Sequence, residues 1–418
     1  MSHSPPVQER LDTPRPHVAR RTIPVGHLDP DAVKVVRRLV RYHHLAYLVG
    51  GCVRDLLLGC RPKDFDVATS ARPPELRKLF RNCRIIGRRF RLAHMLFREG
   101  KIIEVATFRR DPPESGDPDD LLVTRDNVFG EPHEDALRRD FTINGLFYDL
   151  TRREIIDYVN GLRDVERRLL RTIGDPDIRL QEDPIRLLRA IKFTARQDLG
   201  MDPSLYEAVV RHRCLLARAA PARVFEEILR LLRGGAAHRS IWLAQEMGVL
   251  AEVVPELADH LDSGWSRARR TFSTLQAVDV MAREGRLPCD AVLLTALLEQ
   301  TIRSRVGASN DFGRAIRDAL APIAERLVVP RKIREQIRQI LVAQRRLADT
   351  TAKLRGGRQR RETVNETLDF YEITLRAEGR DHSVVRSLRA RAARSAGRSK
   401  RAPRAVPAAR RRHRQRHG

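Results

Sequence analysis

An apolar stretch that stops on two glycines and returns as alternating acids and hydrophobes constrains this chain more than any other feature. Leu48-Val49 runs into Gly50-Gly51, a short helical stretch carries Arg54, and the chain comes back as Asp64-Phe65-Asp66-Val67. A strand entering a helix through glycines turns backbone N–H groups toward an anion, although a simple tight turn would use the same residues. The period of two puts Asp64 and Asp66 on one face of the second strand and Phe65 and Val67 on the other. Adjacent carboxylates repel unless a cation lies between them, and carboxylates beside substrate phosphates are the ligand set that Mg²⁺ favours. A lone Asp-x-Asp is usually a surface loop. Here Glu104, on a candidate strand between Ile103 and Val105, offers a third carboxylate, and the pattern predicts a nucleotide-handling metal site.

Two further clusters add chemistry. Arg138-Arg139-Asp140-Phe141-Thr142-Ile143-Asn144 sets cations, an acid and an amide close together; guanidinium groups fit phosphates, while Asp and Asn can bond ribose hydroxyls. A capped helix start explains the same run. Asp183-Pro184 reads as a helix cap followed by proline at the first position, yet Arg186 stands one turn along the same face. A carboxylate acceptor beside a guanidinium donor matches a base edge with an amino group next to a bare ring nitrogen. Adenine and cytosine present that edge, and guanine and uracil do not.

Charge narrows the partner. Lys and Arg number 80 against 54 Asp and Glu, a net charge of +26 that suits a polyanion. Half of it lies between His382 and Gly418, a stretch with thirteen Lys or Arg and no acid, which reads as a disordered arm neutralising phosphates. Prolines at 5, 6, 14, 16 and 24 make residues 1–28 an extended, disordered leader. Asp29 to His44 reads as a helix with Asp29 as its cap and Val33, Val36, Leu39 and Val40 as its stripe. Strands are expected over 46–49, 65–68, 91–97 and 102–107, with a helix over 74–81, and helical periods dominate beyond Asp183. The five cysteines are scattered and suggest neither disulfides nor zinc. No apolar run has the length of a signal peptide or a membrane span, so a cytoplasmic protein without membrane contact is expected. The fold class read from these patterns is α+β, a small mixed head (29–155) followed by a helical neck (156–235), a helical body (236–378) and a basic tail (379–418).

Taken together, the Gly-Gly turn, Asp-Phe-Asp, Arg-Arg-Asp-Phe-Thr-Ile-Asn and Glu-Asp-Pro-x-Arg resemble the class II tRNA nucleotidyltransferase and bacterial poly(A) polymerase family, from about Tyr47 to Leu232. The resemblance implies a nucleotidyltransferase head in which Asp64, Asp66 and Glu104 hold two Mg²⁺ ions. It implies that Asp140, with Arg139 and Asn144, grips the sugar and phosphates of the incoming nucleotide beside Gly50, Gly51 and Arg54, and that Asp183 and Arg186 face its base. Within the family, residues 86–94 and 121–130 look like elements of the poly(A) branch, and the absence of a His-Asp dipeptide leaves no counterpart for an attached phosphohydrolase domain. The expectation is a monomeric enzyme that adds AMP from ATP to RNA 3′ ends. A CCA-adding enzyme and a catalytically retired RNA-binding protein are the alternatives.

Overall fold

Short, mostly apolar stretches build one sheet in the computed structural model, which describes residues 15–87, 91–110, 128–307, 311–348 and 361–399. Its eight strands are β1 (His17–Arg20), β2 (Ala46–Val49), β3 (Asp66–Thr69), β4 (Cys83–Ile86), β5 (Leu92–Leu96), β6 (Ile102–Thr107), β7 (Leu146–Asp149) and β8 (Glu154–Asp157). They lie in the order β1-β8-β7-β2-β3-β6-β5-β4, with β3 and β6 parallel and every other neighbouring pair antiparallel. Register lines up Leu48, Val67, Val105 and Ala93 across the middle of the sheet, and all four are buried. One residue along each strand, Val49, Asp66, Glu104 and His94 form the next row, on the opposite face. That second row places the acids. On the same face as Val49, a cluster of Ala68, Phe108, Ala136 and Phe147 packs with Tyr47 and Tyr158.

Helices follow from proline starts and aspartate caps. Asp29, Asp175 and Asp202 each accept backbone N–H groups at the head of a helix beginning with proline, over Pro30–Arg41, Pro176–Glu182 and Pro203–His212. The first of these ends at Arg41 and buries Ala32, Val35, Val36 and Leu39, whereas Val40, expected in its stripe, is exposed. Lys101 ties its start to the sheet by ion pairs to Asp29 at 2.6 Å and Asp31 at 2.9 Å. The expected 74–81 helix spans Pro73–Leu79. Helices Ile185–Arg196 and Pro221–Arg233 then supply the side chains that face the sheet's acidic end.

The chain packs as two compact units, residues 1–258 and 259–418. In the second, Asp290–Val306 is buried on nearly all sides, which fits a helix rich in Leu, Ala and Val. There, Arg286 pairs with the buried Glu372 at 2.6 Å. Among the described residues no helix is long and apolar enough to cross a membrane.

Both chain ends depart from the expectation of disorder. Residues 1–14 lie outside the described residues, but His17–Arg20 pairs along β8 as an edge strand, which the flanking prolines permit because they forbid a helix and not an edge. The basic tail begins as a helix, Ser383–Ser399. Asp381 accepts the Ser383 N–H at 2.8 Å, Val385 is buried against Leu368 and Leu375, and Arg389 pairs with Asp369 at 2.6 Å. Composition hid this helix because its apolar contacts are few and its Arg389 is answered by Asp369 and Glu372 of a different helix. Residues 400–418 lie outside the described residues, as do 88–90 and 121–127 of the two segments read as marks of the poly(A) branch.

Candidate active site

The strand β2 stops because Gly50 takes a backbone φ of +71°, a conformation that side chains resist. A Cβ there would also come within 2.9 Å of the end of the Arg139 side chain, which would have to move aside. Helix Gly51–Leu57 follows at once and carries Arg54 inward.

At the start of β3, register sets Asp66 directly beside Glu104 of β6, and Glu104 beside His94 of β5, with His94 Nε2 3.6 Å from Glu104 Oε1. Burial pushes the Asp66 carboxyl up to about 6, with the Glu104 charge adding to the effect, Arg139 opposing it and Asp64 adding again. Asp64 is exposed, and the Glu104 side chain is 49% exposed. Asp66 and Glu104 therefore share one end of the sheet, whereas Asp64 lies in a bend just before β3 and not on the strand beside Asp66 as the alternation predicted; its charge still acts on Asp66. They do not form a closed cage: among the described residues no three acidic, histidine or cysteine side chains are gathered as metal ligands. Their chemistry nevertheless fits Mg²⁺, since hard oxygen donors in mutual repulsion are relieved by a divalent cation.

Next to Asp66 opens a cavity of about 740 Å³, the size that takes a small ligand. Gly50, Gly51, Arg54, Asp66, Arg139, Asp140, Asn144, Asp183 and Arg186 line it, so the structure brings together residues drawn from four separate stretches of sequence. Asp64 and Glu104 are not among its lining residues.

Several of these side chains are tied to one another. Asp140 is buried; its Oδ2 accepts from Arg189 Nε at 2.7 Å, and its Oδ1 accepts from Asn144 Nδ2 at 3.0 Å and the Phe141 N–H at 2.9 Å. Burial would raise this carboxyl, but the Arg189 charge and these hydrogen bonds outweigh it and hold the group at about 2. Arg54 donates to Asn144 Oδ1 at 2.6 Å and to Asp55, whose Oδ1 also receives the Gln197 amide at 3.0 Å. Arg54 thus acts first as a buried brace. Arg139 pairs with Asp135 at 2.9 Å, donates to the Asn144 carbonyl at 3.2 Å and stacks over Phe147.

At the base-reading motif, Arg186 donates to Glu182 at 2.9 Å and to the Arg179 carbonyl at 2.7 Å. Asp183 Oδ1 accepts the Ile185 N–H at 3.3 Å, as a capping residue does, and Oδ2 accepts from Arg223 at 2.9 Å. Both side chains are held from behind and still border the cavity. Sequence reasoning missed the rest of the lining. Arg189, one turn beyond Arg186, carried a legible signal in its spacing. Arg223, Glu226, Glu227 and Arg230 come from helix Pro221–Arg233 and had none. Glu227 pairs with the buried Lys192 at 2.8 Å; burial, with the Arg189 charge beside it, lowers that amine to about 8.

The family model described as "Poly A polymerase head domain" matches residues 46–171, and "Probable RNA and SrmB- binding site of polymerase A" matches residues 198–261. Poly(A) polymerase I of Salmonella typhimurium is 35% identical over 387 residues, covering 87% of this chain and 83% of that one. The chain belongs to the class II poly(A) polymerase and CCA-adding nucleotidyltransferase family. It carries the catalytic nucleotidyltransferase head of that family, whose members act on RNA 3′ ends. The CCA-adding enzyme of Bacillus licheniformis is 36% identical over 222 residues, 53% of this chain and 55% of that one. A solved CCA-adding enzyme of Bacillus stearothermophilus in complex with CTP superposes with a TM-score of 0.66 at 24% identity, covering 88% of this chain and 83% of that one, a likeness of fold.

Proposed function

We propose that this chain transfers AMP from ATP to RNA 3′ ends and releases pyrophosphate. The observation that carries the reading is the cavity with Asp66 in its wall and the braced Asp183 and Arg186 pair in the same lining. The 3′-hydroxyl oxygen bonds to the α-phosphorus as the bond to the pyrophosphate oxygen breaks, and the hydroxyl proton leaves to solvent or a nearby base. Asp64, Asp66 and Glu104 would hold two Mg²⁺ ions, which would supply activation of the hydroxyl and neutralisation of the leaving group. The chain's own residues position. Arg139, pinned by Asp135, presents its guanidinium to the phosphates. Asp140 fixes Asn144 and Arg189 in the cavity wall, so these donors are in place before the nucleotide arrives. Asp183 accepts from the adenine amino group and Arg186 donates to the adjacent ring nitrogen, a pairing that guanine and uracil cannot satisfy.

AMP is preferred over CCA addition because similarity to the poly(A) polymerase I relative runs across 87% of the chain, whereas that to the CCA-adding relative spans 53%. A specific observation favours the second reading: the CTP-bound CCA-adding fold superposes over most of the chain, and cytosine offers the same edge. Extension of a generic single-stranded RNA with each nucleoside triphosphate alone, alongside a tRNA lacking its last three nucleotides, separates the two. ATP-dependent tailing of the generic RNA supports the proposal. Ordered C, C and A addition confined to the tRNA replaces it with the CCA-adding reading. We further propose a monomer acting in the cytoplasm, which sizing and cell fractionation test.

A further inference from the structure

Trp265 opens the helix Trp265–Arg283 with 74% of its surface exposed. An indole left in water forgoes a large burial gain and leaves its ring open to a ligand. Its surroundings say which kind. The Arg269 guanidinium, one turn along, sits 5.4 Å from the ring centroid, and Arg267 and Arg270 are exposed beside it. No Asp or Glu occurs between Ser263 and Val278. The patch thus combines an aromatic face with a cationic rim, and none of its residues lines the cavity.

We propose that Trp265, with Arg267, Arg269 and Arg270, forms a stacking platform for single-stranded RNA. A base lies on the indole, and neighbouring phosphates meet the guanidinium groups. Every base has a π face, so such a platform grips any sequence, as an enzyme whose product repeats and lengthens requires. An acidic protein would use the arginines but gains little from the indole, and charge alone would not leave a tryptophan outside. The inference rests on the reading of the chain as an RNA 3′-end enzyme and adds to it a place where RNA is held.

The chain has two tryptophans, so the W242F full-length variant reports Trp265 emission alone. An oligoadenylate of about 15 nucleotides, within the site sizes of single-strand binders, should quench that emission, and poly-glutamate should not. In the native background W265A should weaken binding of the labelled oligoadenylate about tenfold, the scale of one missing base stack, with the salt slope and the KM for ATP unchanged. W265F should keep most of the affinity. R267A/R269A should flatten the salt slope by about 0.7 for each phosphate no longer neutralised. Unchanged RNA affinity in W265A, in an enzyme that still extends RNA, overturns the platform and leaves the activity standing. Equal quenching by poly-glutamate overturns it in favour of an acidic protein partner. A native chain that neither binds nor extends RNA overturns both.

Discussion

Two aspartates border the same cavity, and their surroundings drive them in opposite directions. Asp140 is buried against Arg189 and Asn144 and is held at about 2; Asp66, largely buried beside Glu104 and Asp64, is pushed up to about 6. Desolvation is unfavourable to both. At Asp140 a guanidinium and two further N–H donors outweigh it, so the carboxylate is complete without a ligand. At Asp66 the nearest charges are mostly of the same sign, so the site is electrostatically unfinished. One acid builds the wall, and the other awaits a cation.

The sharpest way to break this contrast is D66A. Extension of RNA should fall by about a thousandfold or more, the scale expected when metal-assisted phosphoryl transfer is abolished, while the melting temperature stays level or rises because a desolvated charge among like charges is gone. Retained activity measured in single turnover would show that Asp66 is not the metal-side acid. D140A should do the reverse in stability. Leaving the partly exposed Arg189 without its carboxylate, and two N–H donors without their acceptor, should cost about 2–3 kcal/mol in denaturant unfolding, and a loss below about 1 kcal/mol would deny Asp140 its bracing role.

A pH series sharpens the same point. Because the folded Asp140 carboxyl lies at about 2, below its ordinary 3.8, its stabilisation is fully present above the unfolded value and is lost as pH falls through the folded one. Acid unfolding of the native chain should therefore show a component of about 2 kcal/mol across that window, absent in D140A. The smallest effect belongs to the base reader. R223A frees Asp183 Oδ2 from a partly exposed pair, so stability should change by under about 1 kcal/mol, while discrimination of ATP against GTP in kcat/KM should fall about tenfold. Unaltered selectivity would mean that Asp183 needs no brace.

Where structure is local, the chain spelled it out. Asp29 caps its helix, β2 and β6 occupy 46–49 and 102–107 where short apolar runs place them, and Asp66 and Glu104 point from neighbouring strands. Short strands resisted reading. Leu146–Asp149 is mostly buried and does not alternate, and His17–Arg20 sits among prolines, so neither displays a period. Four-residue strands such as these exist because a partner far along the chain completes their hydrogen bonds, Glu154–Asp157 for His17–Arg20 and Leu48–Val49 for Leu146–Asp149.

The sequence by itself determined the kinds of groups at the site: glycines for a turn, acids in period two, and an acid and an arginine one helical turn apart. Only the tertiary structure decided what each group became. Arg189 reaches Asp140 across 49 residues, Arg54 reaches Asn144 across 90, and Arg223 reaches Asp183 across 40. Coulomb attraction and desolvation depend on distance and burial in space, so the charge state of an aspartate is a property of the fold, while its ability to be an acid is already written in the chain.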